Sequence, residues 1–156
     1  MKKFLTIVPV AAALVLTGCK KDQSADQLIT EETVETTAVP TQQDLVAEAQ
    51  NNPLTTLALA QPTHEFGVVK KGQKVEHVYE VTNTGENPLI ISQVKPGCGC
   101  TAPDYTKDPI MPGQTGKITL SFDSSSFDGL VNKQAEVYAN VEKAPVIIGF
   151  SADVQP

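Results

Sequence analysis

The chain has 156 residues, and its 12 lysines against 18 acidic residues give a formal net charge of −6 at pH 7. It has no tryptophan and no arginine, and it therefore lacks the side chain that best forms paired hydrogen bonds with phosphate and carboxylate groups. This balance argues against a nucleic-acid partner, since such partners are bound through clusters of basic residues.

The first part of the chain has the pattern of a bacterial export signal. Lys2 and Lys3 precede an apolar run, residues 4–16, which is too short to span a bilayer. The run ends in Leu16-Thr17-Gly18-Cys19, which resembles the lipobox of bacterial lipoproteins, where the cysteine thiol is diacylated before cleavage on its N-terminal side. We therefore interpret residues 1–18 as a lipoprotein signal peptide and Cys19 as the lipidated residue, and palmitate is one acyl chain expected there. Several acyl chains on one residue suffice for stable anchoring.

A polar segment follows Cys19. Residues 20–52 are mainly Gln, Thr, Asp, Glu and Ala with scattered single aliphatic residues, a composition that buries too little apolar surface to offset the entropy of ordering. We predict that residues 19–52 comprise the lipidated cysteine and a disordered tether with a reach of roughly 30 Å. Within it, Asp44 to Gln50 is expected to form no more than a transient helical turn or two.

After Pro53 the sequence alternates between apolar and polar residues, with Gly, Pro and Asn at the breaks. This period of two is typical of half-buried strands. Residues 53–156 are therefore predicted to form one all-β domain of seven or eight short strands without a convincing helix, most simply a two-sheet antiparallel sandwich, with a small barrel as the alternative. The predicted strands are Leu54–Ala60, His64–Val69, Val75–Val81, Leu89–Val94, Ile118–Phe122, Ala135–Ala139 and Val146–Val154.

Four motifs occur in a characteristic order: His64-Glu65-Phe66-Gly67, Asn83-Thr84-Gly85, Pro96-Gly97-Cys98-Gly99-Cys100-Thr101 and Ile110-Met111-Pro112-Gly113. Together they resemble the bacterial envelope family called domain of unknown function 1573, and the Cys-Gly-Cys-Thr run is the most specific of them. Glu65 stands where that family usually has aspartate. The resemblance implies an immunoglobulin-like antiparallel β-sandwich, similar to the sperm-protein and pilus-chaperone modules, and it implies no activity.

The motifs also have structural interpretations of their own. Asn83 and Gly85 tolerate the positive φ that a turn between strands often needs. Pro112-Gly113 fits a type II turn, in which proline fixes φ at the second position and glycine supplies a positive φ at the third. Gly67 marks a place where a strand bends or approaches another backbone closely.

Cys98 and Cys100 are the residues of the predicted domain that are the best candidates for a redox or metal-binding role. Residues two apart in a strand lie ~6.6 Å from Cα to Cα, and Gly99 lets the chain bend enough for a disulfide to close. Closing so small a loop removes little entropy from the unfolded chain and would stabilise the fold by only ~1.6 kcal/mol before strain is subtracted. The bond would therefore contribute little to stability. Three alternatives stay open: a local disulfide or a pair of packed thiols, a redox-active dithiol, and a soft-metal site for Cu(I) or Zn(II).

The two histidines are the residues that could complete a metal site with the cysteines. His77 alternates in phase with Val75, Tyr79 and Val81, so a half-buried histidine with satisfied hydrogen bonds is the simpler interpretation. His64 opens a predicted strand and is expected to cap its edge. Both are therefore weaker metal-ligand candidates than Cys98 and Cys100, and no cofactor is otherwise indicated.

These observations predict a lipid-anchored protein, exported to the bacterial cell envelope and held at the outer membrane or the cell surface. Its domain is expected to be a non-enzymatic binding or structural module with a protein partner in the envelope, and Leu54 to Ala60 is a candidate edge strand for such a partner. The alternative is a thiol-based metal-handling or redox protein that uses Cys98 and Cys100.

Overall fold

The computed structural model describes residues 39–156. The predicted signal peptide, Cys19 and the first part of the predicted tether lie outside the described residues. Among residues 39–156, no helix is long and apolar enough to cross a membrane. The described elements are α1 (Gln42–Ala49), β1 (Leu57–Leu59), β2 (Thr63–Lys70), β3 (Lys74–Asn83), β4 (Ile91–Pro96), β5 (Thr101–Tyr105), β6 (Thr115–Asp123), β7 (Gly129–Ala139) and β8 (Val146–Gln155).

The strands form two sheets of four, which confirms the predicted two-sheet sandwich. The first sheet has the order β1-β3-β6-β5 and the second has the order β2-β8-β7-β4. The prediction of antiparallel pairing throughout is wrong at one place, because β2 and β8 pair in parallel. These strands come from opposite ends of the domain, so no hairpin fixes their relative direction.

The core lies between the two sheets and follows the predicted alternation. On β3, for example, Tyr79 and Val81 are buried, whereas Val78 before Tyr79 and Glu80 between the two are exposed. Tyr79 also joins the sheets directly, because its hydroxyl donates to the Gly149 carbonyl oxygen at 2.6 Å. The largest fully buried side chains of the described residues are Tyr79, Tyr138, Phe122, Phe150, Leu89, Ile118, Leu120 and Ile148.

One of the predicted strands is much shorter than expected, and one strand was not predicted. The first strand is shorter than Leu54–Ala60 and covers Leu57–Leu59. The unpredicted strand is β5, which starts directly after the cysteines and pairs antiparallel with β6. It contains Pro103, which breaks a sequence-based strand pattern but is tolerated in an edge strand, and β5 is the edge of the first sheet.

Three predicted turn and bend residues have clear structural roles. Gly113 has a φ of 76° and the Gln114 amide donates to the Met111 carbonyl, as the predicted type II turn requires. Gly67 has a φ of 67° where the β2–β8 register shifts. Gly85 is not one of the described glycines with a positive φ, so the prediction that this turn needs a positive φ there is wrong. It is needed because a Cβ there would lie 2.6 Å from the Thr56 amide nitrogen.

Helix α1 lies inside the segment predicted to be a tether. Thr41 caps it: its hydroxyl accepts from the Asp44 amide, and the Asp44 carboxylate accepts from the Thr41 amide. Leu45 and Ala49 are buried against Tyr138, which β7 presents on the outer face of the second sheet. The prediction of disorder up to residue 52, with no more than a transient helical turn or two from Asp44 to Gln50, is therefore wrong for residues 42–49. A helix this short is marginal alone, but the outward-facing tyrosine provides a surface on which it packs.

A matched pair of substitutions tests this docking of α1. Ala49 is buried against Tyr138 and Ala47 is exposed on the same helix. We expect Ala49→Asp to lower the free energy of unfolding by about 1–3 kcal/mol, because it buries a charge, and Ala47→Asp by no more than about 0.5 kcal/mol. Urea unfolding measures both, and hydrogen exchange at residues 42–49 reports whether the helix undocks. Equal effects of the two variants would show that α1 does not pack as described.

Candidate functional site

The two cysteines lie on the crossover from one sheet to the other. Strand β4 of the second sheet ends at Pro96, and the Gly97 amide still donates to the Gln134 carbonyl of β7 at 2.9 Å. Strand β5 of the first sheet begins at Thr101. The cysteines and the glycine between them therefore connect the two layers at one end of the sandwich.

The structure joins Cys98 and Cys100 in a disulfide across a Cα–Cα distance of 5.3 Å. This distance is shorter than that of an extended strand because the chain turns here: the Thr101 amide donates to the Cys98 carbonyl at 3.4 Å. The two cysteines are therefore bonded in this structure, as both a local disulfide and the oxidised form of a redox-active dithiol would be. Both residues remain half-buried rather than enclosed, so the bond is accessible at the protein surface.

Thr101 places one hydroxyl beside both sulfur atoms. The Thr101 Oγ1 atom lies 3.6 Å from Cys98 Sγ and 3.8 Å from Cys100 Sγ, and the threonine is 5% exposed. Its position is fixed by strand β5, where it pairs with Phe122. A hydroxyl held there can donate to whichever sulfur carries negative charge after the disulfide opens.

The two sulfur atoms have different surroundings. Cys98 lines a cleft of about 370 Å³ together with Gly97, Asn132, Lys133 and Gln134, and the lysine is the charged residue among these described lining residues. Cys100 instead packs against the core, and its carbonyl accepts from the Asp123 amide at 3.1 Å. A molecule in the cleft therefore reaches Cys98 first.

The predicted histidines face each other between the sheets. His64 on β2 and His77 on β3 stack with their ring centroids 3.6 Å apart and their planes 5° apart. Phe66 lies edge-on to the ring of His64, and Tyr79 lies edge-on to that of His77, each at 4.7 Å. Burial, and then the charge of His64, lower the pKa of His77 below its ordinary value.

The histidines and cysteines do not assemble a metal site in the described part of the chain. No group of three or more His, Cys, Asp or Glu side chains within residues 39–156 is arranged to hold a metal ion. The cysteines lie on the β4–β5 crossover and are bonded to each other, and the histidines lie on β2 and β3. The suggested set of two thiolates and two imidazoles is therefore not present in this structure.

Two residues near the disulfide were not singled out from the sequence. Thr101 follows Cys100 directly in the Cys-Gly-Cys-Thr run, so the sequence itself indicates that it lies close to the disulfide. Lys133 comes from β7, and no local pattern connects it with the cysteines. Its place follows only from the pairing of β4 with β7.

The histidine pair predicts a pH dependence of stability. Because the pKa of His77 is lower in the folded state, the unfolded chain binds protons more readily, and stability is lost as the pH falls below the unfolded pKa of about 6.5. We expect the urea midpoint of the wild type to fall between pH 7.5 and pH 5, and that of His77→Gln to fall less. His64→Gln removes the facing charge and should reduce the drop as well. An unchanged pH dependence in both variants would exclude the pair as its source.

A family model described as "Protein of unknown function (DUF1573)" matches residues 57–154. The chain belongs to this family. The match starts at β1 and ends within β8, so the family covers the sandwich, including the disulfide, Thr101 and Lys133. Helix α1 lies before the matched region. The chain matches none of the curated proteins.

Several solved structures are similar to this family member. A protein of unknown function from Porphyromonas gingivalis W83 is 15% identical with a TM-score of 0.56, over 67% of this chain and 48% of that one. The VesB protease of Vibrio cholerae is 17% identical with a TM-score of 0.51, over 62% and 31% of the two chains. The PapD-like domain 7 of human CEP192 is 13% identical with a TM-score of 0.48, over 67% and 88%. The chain spans about half or less of the two bacterial proteins, and at these identities the similarity to those two shows a shared fold alone.

Proposed function

We propose that this family member is a lipid-anchored protein of the bacterial cell envelope, exported and held at the outer membrane or the cell surface. Its sandwich acts there as a non-enzymatic module that binds an extended segment of an envelope protein. The observation that carries the binding proposal is an open sheet edge beside an apolar groove. The anchor is supported by the export signal and the lipobox-like sequence that ends at Cys19.

The open edge belongs to β1, which is the last strand of the first sheet and, within residues 39–156, pairs on one side only, with β3. Thr55, just before β1, forms a bridge to Val141. An unpaired strand edge presents backbone N–H and C=O groups that another strand can use. An exposed sheet edge is a common place for a partner peptide to add itself as a further strand. The sequence had suggested this region, Leu54 to Ala60, as the edge.

A groove of about 410 Å³ runs along this edge. Its lining combines side chains that suit an extended peptide: apolar groups at the base and a carboxylate and an ammonium group at the rim. An added strand would place alternate side chains in this groove and leave the others in solvent. The lining residues are Thr55, Thr56, Leu57, Leu59, Val141, Glu142, Lys143 and Val146.

The anchor is tested by replacing each kind of cysteine in turn. We expect Cys19→Ala to abolish incorporation of radiolabelled palmitate and to move the protein from the membrane fraction to the soluble fraction, because the acyl chains have no other attachment point. The matched control is the Cys98→Ser, Cys100→Ser double variant, which should keep both the label and the membrane fractionation. Palmitate labelling that survives Cys19→Ala would contradict the proposal.

The groove is tested by crosslinking in intact cells. A photoreactive phenylalanine analogue at the position of Lys143, on the rim of the groove, is expected to give a discrete crosslinked species whose partner peptide is identified by mass spectrometry. The control position is Leu130, which is 83% exposed near the opposite end of β7. The same species at both positions, or at neither, would contradict a binding role for the groove.

A further inference from the structure

We propose that the Cys98–Cys100 disulfide is a thiol–disulfide exchange site whose substrate is a protein or peptide dithiol, and that the substrate thiolate attacks the sulfur of Cys98 from the adjacent cleft. This proposal is independent of the binding role of the β1 groove. It rests on the placement of the disulfide, on the different surroundings of its two sulfur atoms and on the hydroxyl that both share.

The placement favours exchange over a stabilising role. The two cysteines are two positions apart in the sequence, so the bond constrains little of the unfolded chain and contributes little to stability. The crossover is held instead by backbone hydrogen bonds on both sides, from Gly97 to Gln134 and from Asp123 to Cys100. The loop therefore keeps its place when the bond opens. A half-buried disulfide of this kind is open to attack by thiolates.

The cleft determines which sulfur is attacked. Cys98 lines it, whereas Cys100 packs against the core. Lys133 in the same cleft attracts an incoming thiolate and stabilises negative charge on Cys98 when that sulfur later leaves. The Lys133 ammonium group lies 4.1 Å from the centre of the Phe127 ring, and this contact restrains the lysine.

The reaction consists of two exchanges. In the first, a substrate thiolate forms a bond to Cys98 Sγ, the Cys98–Cys100 bond breaks, and its electron pair leaves on Cys100 Sγ, where Thr101 Oγ1 donates to it. In the second, the other substrate thiolate attacks its own sulfur partner in this mixed disulfide and releases Cys98 as a thiolate. The substrate dithiol is oxidised to a disulfide, the two cysteines are reduced, and the two substrate protons end on the two cysteine sulfurs. The reverse steps with a more oxidising disulfide restore the site.

Variants of the full-length chain test the assignment of Cys98, and all of them also carry Cys19→Ala so that one cysteine remains in each. Oxidised glutathione is the probe, and mass spectrometry follows the mixed disulfide. We expect Cys100→Ser, which retains the Cys98 thiol, to form the mixed disulfide about tenfold faster than Cys98→Ser, which retains Cys100. Equal rates, or faster reaction at Cys100, would overturn the assignment.

The contributions of the neighbours are tested in the same assay, in the Cys100→Ser background. Lys133→Gln should slow the reaction about threefold because it removes the positive charge of the cleft, whereas the matched Lys117→Gln on β6 should leave the rate unchanged. For the chain that carries only Cys19→Ala, millimolar reduced glutathione should open the disulfide, and alkylation should then add two groups per chain. A disulfide that stays closed under those conditions would overturn the exchange proposal as a whole, and thermal melting of each variant confirms that it is folded.

Discussion

The side chain of Asn83 is the polar centre on which the arrangement of this end of the sandwich depends. It is fully buried, and its amide nitrogen donates to the Asn87 and Ile110 carbonyls, both at 2.8 Å. Its oxygen accepts from the Thr55 hydroxyl and the Gly85 amide, both at 3.0 Å. A buried amide without these partners would be costly. The side chain therefore fixes the chain before β1, the turn after β3 and the loop before β6 in one arrangement.

The same arrangement fixes residues that line the proposed binding groove. Thr55 lines the groove and is held by Asn83. Thr55 is bridged to Val141, a second lining residue. Val141 follows Asn140, another buried amide whose nitrogen donates to the Pro53 and Pro88 carbonyls and whose oxygen accepts from the Ile90 amide. Thr55 and Val141 are thus both held by buried polar groups whose hydrogen bonds are satisfied, so an incoming strand would meet a preformed site and lose less entropy on binding.

The disulfide depends on a different constraint, which is the passage of the chain between the sheets. Cys98 follows a residue bonded to β7 and Cys100 is bonded to β6, so the two sulfur atoms are positioned by different layers. This explains why Cys98 faces a cleft formed with β7 while Cys100 faces the core. The same arrangement brings Lys133 of β7 next to the cysteines although it is far from them in the sequence.

The sheets were predictable from the sequence because apolar and polar residues alternate along strands such as β3 and β8, and the apolar residues are the ones that face the core. Helix α1 was not, since its stability comes from a tyrosine on another element and not from its own composition. Strand β5 was hidden by Pro103, and the contact of His64 with His77 depends on how two sheets face each other. At the site, the disulfide was one of three alternatives open from spacing alone, whereas its asymmetry required the fold.

The most direct single measurement is the intact mass of the protein extracted with detergent from its own membranes, alkylated before and after incubation with reduced glutathione. The expected mass is that of the chain from Cys19 onward with its acyl chains, unalkylated at first and carrying two alkyl groups after incubation. A mass without acyl chains would contradict the proposed anchor. Failure to alkylate after incubation would contradict the proposed exchange site.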